Sequence, residues 1–350
     1  MVEPVPPTGT PVPLPTNHAD PVGSIAPGSD GGPVAGDSSS QADVVARAWT
    51  DPKLAQVLYH DHEAAGYDEK WSISFDQRCI DYAKDRFLAA LGGTDDAPWP
   101  YPRALEVGAG TAFFSLNLAQ AGVIDAVTVS DVSSGMVAAA LRNAGELGLT
   151  VTGDVADVEH LPYPDNHFDL VVGHAVLHHV PDVEQALREV VRVLRPGGRF
   201  VIAGEPTTVG DWYARRLGRL TWAVTKQATR LPKLRERYGR DPQELIDSSQ
   251  AHALESIVDL HTFDPAELAR IALRAGAIDV RARTEELTAA WLGWPVRTIE
   301  AAVRPGSLGY QWAMFAYTGW QRLSAVDRRL ATVVPKRYFY NLSVTGLKPR

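Results

Sequence analysis

From residue 104 onward, short apolar runs alternate with helix-length stretches. ALEVGAG, AVTVSDV, LTVTGDV, FDLVVGHA and GRFVIAGEP each read as a buried strand bounded by turn signals. Five strands spaced by helices imply right-handed βαβ units and a parallel sheet. The helix between the fourth and fifth, VEQALREVVRVL, is apolar on one face and stops at RPGG, where Pro196 and Gly197 suit the centre of a type II turn. FDPAELARIALRAGAIDVRAR adds a helix, with Asp264 as N-cap ahead of Pro265, and a sixth strand. YFYNLSVTGLK reads as the last strand. The predicted fold is therefore α/β, a doubly wound, mostly parallel sheet of seven strands, with a helical insertion at about 207–260.

Upstream the pattern changes. Residues 1–40 are dominated by Pro, Gly and Ser, hold no aromatic residue and show no period, so a disordered tail is expected there. Helical periods fill 41–100, predicted as an N-terminal helical lid segment, and the catalytic domain is expected over 101–350.

Composition narrows the class without naming it. A chain of 350 residues with 45% hydrophobic content can bury a large core. A formal charge of −8 argues against general attraction to nucleic acid. Cys79 is the only cysteine, which excludes an internal disulfide or a thiolate zinc cluster; its spacing with Phe75, Tyr82 and Ala83 predicts a small buried side chain. No run of about 18 apolar residues is present, and the N-terminus lacks a basic start and apolar core, so a cytoplasmic protein is expected.

The turn after the first strand, LEVGAGTAFF, carries the chemistry. In G-x-G-x-x-G the glycines bring backbone against a pyrophosphate at a helix N-terminus. Gly108 and Gly110 match, but the third position is Phe113, which disfavours NAD or FAD. The turn suits a ligand without phosphate, such as an amino acid joined to a nucleoside. Asp131, about twenty residues on, is placed to accept from both hydroxyls of a ribose.

Together LEVGAGTAFF, SDVSSGMV, DVEHLPYPDNHFDLVVGHAVLHHVPD and VLRPGGRFVIAGEP resemble the class I S-adenosylmethionine-dependent methyltransferases, which have a Rossmann-like fold. The likeness is to the branch with menaquinone and ubiquinone C-methyltransferases and many small-molecule and lipid methyltransferases. It covers residues 60–205 well and the C-terminal third only in layout. It departs at Ala112, where the family commonly has a third glycine. The resemblance implies S-adenosylmethionine as cofactor, with Glu106, Gly108 and Gly110 around its methionine part and Asp131, followed by Val132, at the ribose. Asp157 would accept from the adenine amino group, with Asp154 a nearby competitor, and the Val158 N–H would meet the adjacent ring nitrogen. The His174 carbonyl would take the methionine ammonium. Tyr67, with Tyr59 as second choice, would lie over the cofactor.

Methyl transfer needs an in-line approach in a dry site, and a base only when the acceptor must lose a proton. His174 and His178 are the base candidates, one turn apart if the segment bends into a helix, while His179 is expected to pack or cap. No metal is expected. Residues 212–240 hold nine Lys or Arg against one acid, with Tyr213, Leu217, Leu220, Val224, Ala228 and Leu231 at helical spacing. They read as a lid helix with solvated charges or as a contact for an anionic membrane surface. Trp291, Trp294, Trp312 and Trp320 either line an apolar pocket or pack as core. The predicted function is methyl transfer to O, C or N of a hydrophobic small molecule or lipid-like acceptor, without nucleic acid; the alternative is a catalytically silent subunit that binds without turnover.

Overall fold

The computed structural model describes residues 51–64, 66–68, 73–93, 99–240, 258–304 and 306–350. The expected tail at 1–40 and part of the 207–260 insertion lie outside the described residues. Seven strands make one sheet: β1 (Tyr101–Val107), β2 (Ile124–Asp131), β3 (Val151–Val155), β4 (Phe168–His174), β5 (Leu194–Pro206), β6 (Ile278–Glu285) and β7 (Asn341–Leu347). Their order is β3-β2-β1-β4-β5-β7-β6, and β7 alone runs antiparallel to its neighbours. The chain leaves β1 in one direction toward β3 and later returns to β4 on its other side, so a crevice opens at the carboxyl ends of β1 and β4.

Apolar strands predict burial on both faces, and β4 shows it. Val171 packs with Leu187 and Val190 of α5 (Val183–Val193) and with Leu268 of α8 (Pro265–Arg274). Leu170 and Val172 join the opposite layer, built by α2 (Gln77–Leu91), α3 (Phe113–Gln120) and α4 (Ser134–Glu146). Asp264 caps α8 as expected, accepting from the Ala266 and Glu267 N–H groups. Gly197 takes a φ of +76°, which suits the turn expected at RPGG.

Three expectations change. The segment 41–100 is not wholly a lid: α1 (Pro52–Glu63) lies over the crevice, but α2 buries Ala83, Phe87, Ala90 and Leu91 in the sheet layer. Cys79, in the first turn of α2, is half-buried beside the Ser74 hydroxyl, because it sits at the edge of the covered stripe. The cap over the sheet is not confined to the insertion. It joins α6 (Thr208–Ala228) to a helix pair between β6 and β7, α9 (Thr288–Ala302) and α10 (Gly309–Leu330), with α9 packed on both others.

Candidate functional site

Glu106, Gly108, Gly110, Asp131, Val132, Asp157, Val158 and His174 gather at the carboxyl ends of β1 to β4. Gly108 has φ +54°, and a Cβ there would stand 2.1 Å from Val176 Cγ2, so both conformation and space demand glycine. Gly110, at φ +53°, faces the Tyr67 ring, whose Cε1 lies 3.9 Å from where a Cβ would be. Tyr67 therefore covers the turn. Ala112, where the family's third glycine would stand, adopts the same left-handed conformation at φ +63° despite its methyl.

Asp131 ties the second strand to the turn. One carboxylate oxygen accepts the Gly110 N–H at 2.8 Å and the other the Ser133 N–H at 2.9 Å. Each oxygen keeps a further lone pair for a ligand hydroxyl. Burial raises its pKa. Glu106 acts from beneath. Helix α3 has no side-chain cap at Ala112, and the buried Glu106 carboxylate accepts the Ser115 N–H (3.0 Å) and hydroxyl instead. One oxygen of its carboxylate is thus engaged with α3. Burial pushes its pKa up to about 7.

On the far side, Asp154 is taken up by the Tyr163 hydroxyl (3.0 Å), while Asp157 receives the Glu159 N–H (2.9 Å) and the Lys53 ammonium of α1 (2.6 Å). Lys53 also pairs with Glu159. Helix α1 is clamped over the crevice by Gln56, whose amide donates to the carbonyls of His179 (3.1 Å) and Val258 (2.6 Å). Tyr59 is buried with Ala55 and Val258, a packing position rather than one over the turn.

The two base candidates do not share a helical face, because Ala175 turns the chain with φ +56° and only a short 3-10 turn, Leu177–His179, follows. His174 points among Phe113, Phe114 and Tyr82, and its Nε2 finds no hydrogen-bond partner among the described residues. Burial lowers its pKa to about 4, so it is neutral. His178 turns the other way, with Nδ1 2.8 Å from Oε2 of Glu205. Glu205 is fully buried and also accepts the N–H groups of Val176, Leu177 and His178. Burial alone would lower the His178 pKa, but the Glu205 carboxylate, with Asp259 and Asp211 behind it, prevails and raises it.

Sequence reasoning missed Glu205, which stands in VIAGEP 27 residues beyond its partner. It also found no carboxylate by the histidines. Asp259 supplies one, with Oδ1 3.6 Å from His179 Nδ1 and 3.9 Å from His178 Nε2. The His179 Nδ1 already faces the Val258 carbonyl at 3.0 Å, and burial holds its pKa well below the ordinary value. Of the four tryptophans, Trp294 meets Tyr340 and Trp320 reaches Tyr82 and Glu286, near the crevice. Trp291 is exposed, and Trp312 bonds Glu300 on the cap surface.

The sheet order, the paired glycines and the acid ending β2 coincide with a sequence match, over residues 105–202, to the family described as a methyltransferase domain. The chain carries a class I S-adenosylmethionine-dependent methyltransferase domain. The methyltransferase domain is 31% identical over 168 residues to the ubiquinone/menaquinone biosynthesis C-methyltransferase UbiE of Psychromonas ingrahamii, covering 47% of this chain and 59% of that protein. It is also 29% identical over 154 residues to the mitochondrial arginine-hydroxylase NDUFAF5 of Rattus norvegicus, covering 43% of each chain. The chain thus spans about half the length of these relatives. Its fold is shared with Haemonchus contortus phosphoethanolamine N-methyltransferase 2 in complex with S-adenosyl-L-methionine (TM-score 0.50, 16% identity, 83% of this chain and 57% of that one).

Proposed function

We propose that this chain transfers a methyl group from S-adenosylmethionine to a nucleophilic atom of a hydrophobic small-molecule or lipid-like acceptor, with His178 as the base. The crevice residues fit that cofactor: bare backbone at Gly110, a turn that Gly108 lets close against Val176, spare acceptor capacity on Asp131, and Tyr67 as a cover. Asp131 would hold the ribose hydroxyls, the turn the methionine part, Val132 the flank of the sugar, and Asp157 with the Val158 N–H the adenine. The His174 carbonyl would take the ammonium. Bound there, S-adenosylmethionine supplies an electrophilic methyl on a sulfonium.

The observation that carries the catalytic reading is the His178–Glu205 pair. Glu205 accepts at Nδ1, which fixes the neutral tautomer so that Nε2 holds the lone pair. His178 Nε2 would take the proton that the acceptor atom gives up on receiving the methyl, the methyl–sulfur bond breaking to leave S-adenosylhomocysteine. The positive charge that then develops on the imidazole is balanced by Glu205, whose three backbone N–H partners hold it in place. His174, desolvated and without a carboxylate, is the weaker base and is read as a wall of the acceptor space. The silent-subunit alternative predicts cofactor binding with no turnover in a methyl-transfer screen.

Calorimetry with S-adenosylhomocysteine and with NADH separates the cofactors, and binding of NADH alone would sink this reading. A labelled-methyl screen against quinol, polyketide and lipid extracts, run beside an assay for arginine hydroxylation, identifies the acceptor chemistry. The rising limb of kcat against pH should fall above the ordinary histidine value of 6.5, since a raised His178 must lose its proton to act. Glu205→Gln should move that limb to lower pH and cut kcat by about 10²-fold or more at pH 8. An unmoved limb would remove His178 as the base.

A further inference from the structure

Residues 212–240 read either as a lid helix or as a contact for an anionic membrane surface, and α6 leaves part of its apolar stripe uncovered. Tyr213, Leu217 and Ala228 turn inward, but Leu220 (64% exposed), Val224 and Trp212 face out. The cause is the partner helix. Tyr213 stands against Trp291 at the start of α9 and Gly218 against the Thr298 hydroxyl, so α6 rests on α9 along one narrow edge and leaves the next row of side chains uncovered. Beyond α6, a further helix, α7 (Pro232–Tyr238), is tied to the end of α9: the Arg304 N–H, just after α9, donates to the Tyr238 carbonyl at 2.9 Å. Helix α10 begins just beyond, with Tyr310 (73% exposed), Met314 and Phe315 also uncovered.

The tip of the cap therefore exposes Val224 near the end of α6, Leu231 just before α7, and Tyr310 and Phe315 at the start of α10, in segments that carry Lys226, Arg230, Lys233, Arg235 and Arg304 against the acids Glu236 and Glu300. Lys226, Lys233, Arg235 and Arg304 pair with no acid among the described residues. The excess is local, because residues 212–240 hold nine Lys or Arg and one acid in a chain whose formal charge is −8. A face made only for water has no use for exposed leucine, tyrosine and phenylalanine. A nucleic-acid groove would not set branched aliphatic side chains at its centre.

We propose that this tip docks on an anionic lipid bilayer, its cations at the phosphates and its apolar side chains at the boundary with the acyl chains. This goes beyond the proposed activity and does not depend on it. No described helix is long and apolar enough to cross a membrane, so the contact is peripheral.

Flotation of the full chain with phosphatidylcholine vesicles and with 3:1 phosphatidylcholine:phosphatidylglycerol vesicles tests it. Partitioning should be at least about tenfold stronger on the anionic vesicles at low salt and should weaken in 0.5 M NaCl. The triple variant Lys226→Glu/Arg230→Glu/Lys233→Glu should lose about tenfold or more, while S-adenosylhomocysteine affinity, read by calorimetry, stays unchanged and reports an intact crevice. Leu231→Ser/Phe315→Ser should keep the salt-sensitive binding and lose the salt-resistant remainder. Equal partitioning on both vesicles, or indifference to the triple reversal, overturns the proposal. So does tighter binding to single-stranded RNA than to vesicles, abolished by the same reversal, since that would make the tip a polynucleotide site.

Discussion

Asp131 and Glu106 are both buried acids at the ends of neighbouring strands, yet their surroundings give them different tasks. Asp131 has one backbone donor per oxygen and capacity to spare, so Asp131→Ala should lose at least about tenfold in S-adenosylhomocysteine affinity by calorimetry, because ligand hydroxyls would lose their acceptor. Unchanged affinity would move the ribose elsewhere. Glu106 is committed to Ser115, and burial raises its pKa from 4.5 to about 7. A raised pKa favours the protonated folded form, so its contribution is fully present below pH 4.5 and is lost as pH rises through 7. The loss is roughly 3 kcal/mol. Urea midpoints measured at pH 5 and pH 8 should therefore differ less for Glu106→Gln than for the parent chain. The glycines and Asp131 were legible because their motif fixes spacing within one βαβ unit. Glu205 was not, since a lone acid after a strand carries no mark of the histidine that will meet it.

Among the elements, the N-cap of α8 and the apolar face of α5 were readable, whereas the helical stretch read over 212–240 breaks after Ala228 and resumes as α7 at Pro232. Asp264 caps α8 through the Ala266 and Glu267 N–H groups, so Asp264→Ala should cost about 1 kcal/mol and lower the thermal midpoint by a few degrees. A midpoint unchanged within error would mean that water replaces the cap at no cost. The stripe of α6 had the right period, but period tells which residues share a face and not how wide the supporting surface is. Similarly, His174 and His178 were one turn apart only if the segment were helical. The left-handed Ala175 separates them, placing one against Tyr82 and the other against Glu205.

At the scale of the whole molecule, distant segments close the site. Arg86 of α2 is buried and pairs at 2.5 Å with Glu285 at the end of β6 and with Glu286 just after it. Glu286 in turn receives Asn341 at the start of β7 (2.7 Å) and Trp320 of α10 (3.3 Å). Arg86→Met should destabilise by about 2–3 kcal/mol in urea unfolding, because it removes the cation from the largely buried Glu286, while the part-exposed Glu285 can turn to solvent. A loss below 1 kcal/mol would show that the glutamates reach water without it. The sequence by itself determined the seven strands, the turn that needs Gly108, and the acid after β2, because each follows from local period, sterics and short-range spacing. Only the tertiary structure decided that Glu205 holds His178, that Asp259 joins the histidines, and that the cap leaves Leu220 and Val224 bare. Those outcomes depend on which surfaces meet across the fold, and pairings between segments far apart in the chain leave no periodic trace along it.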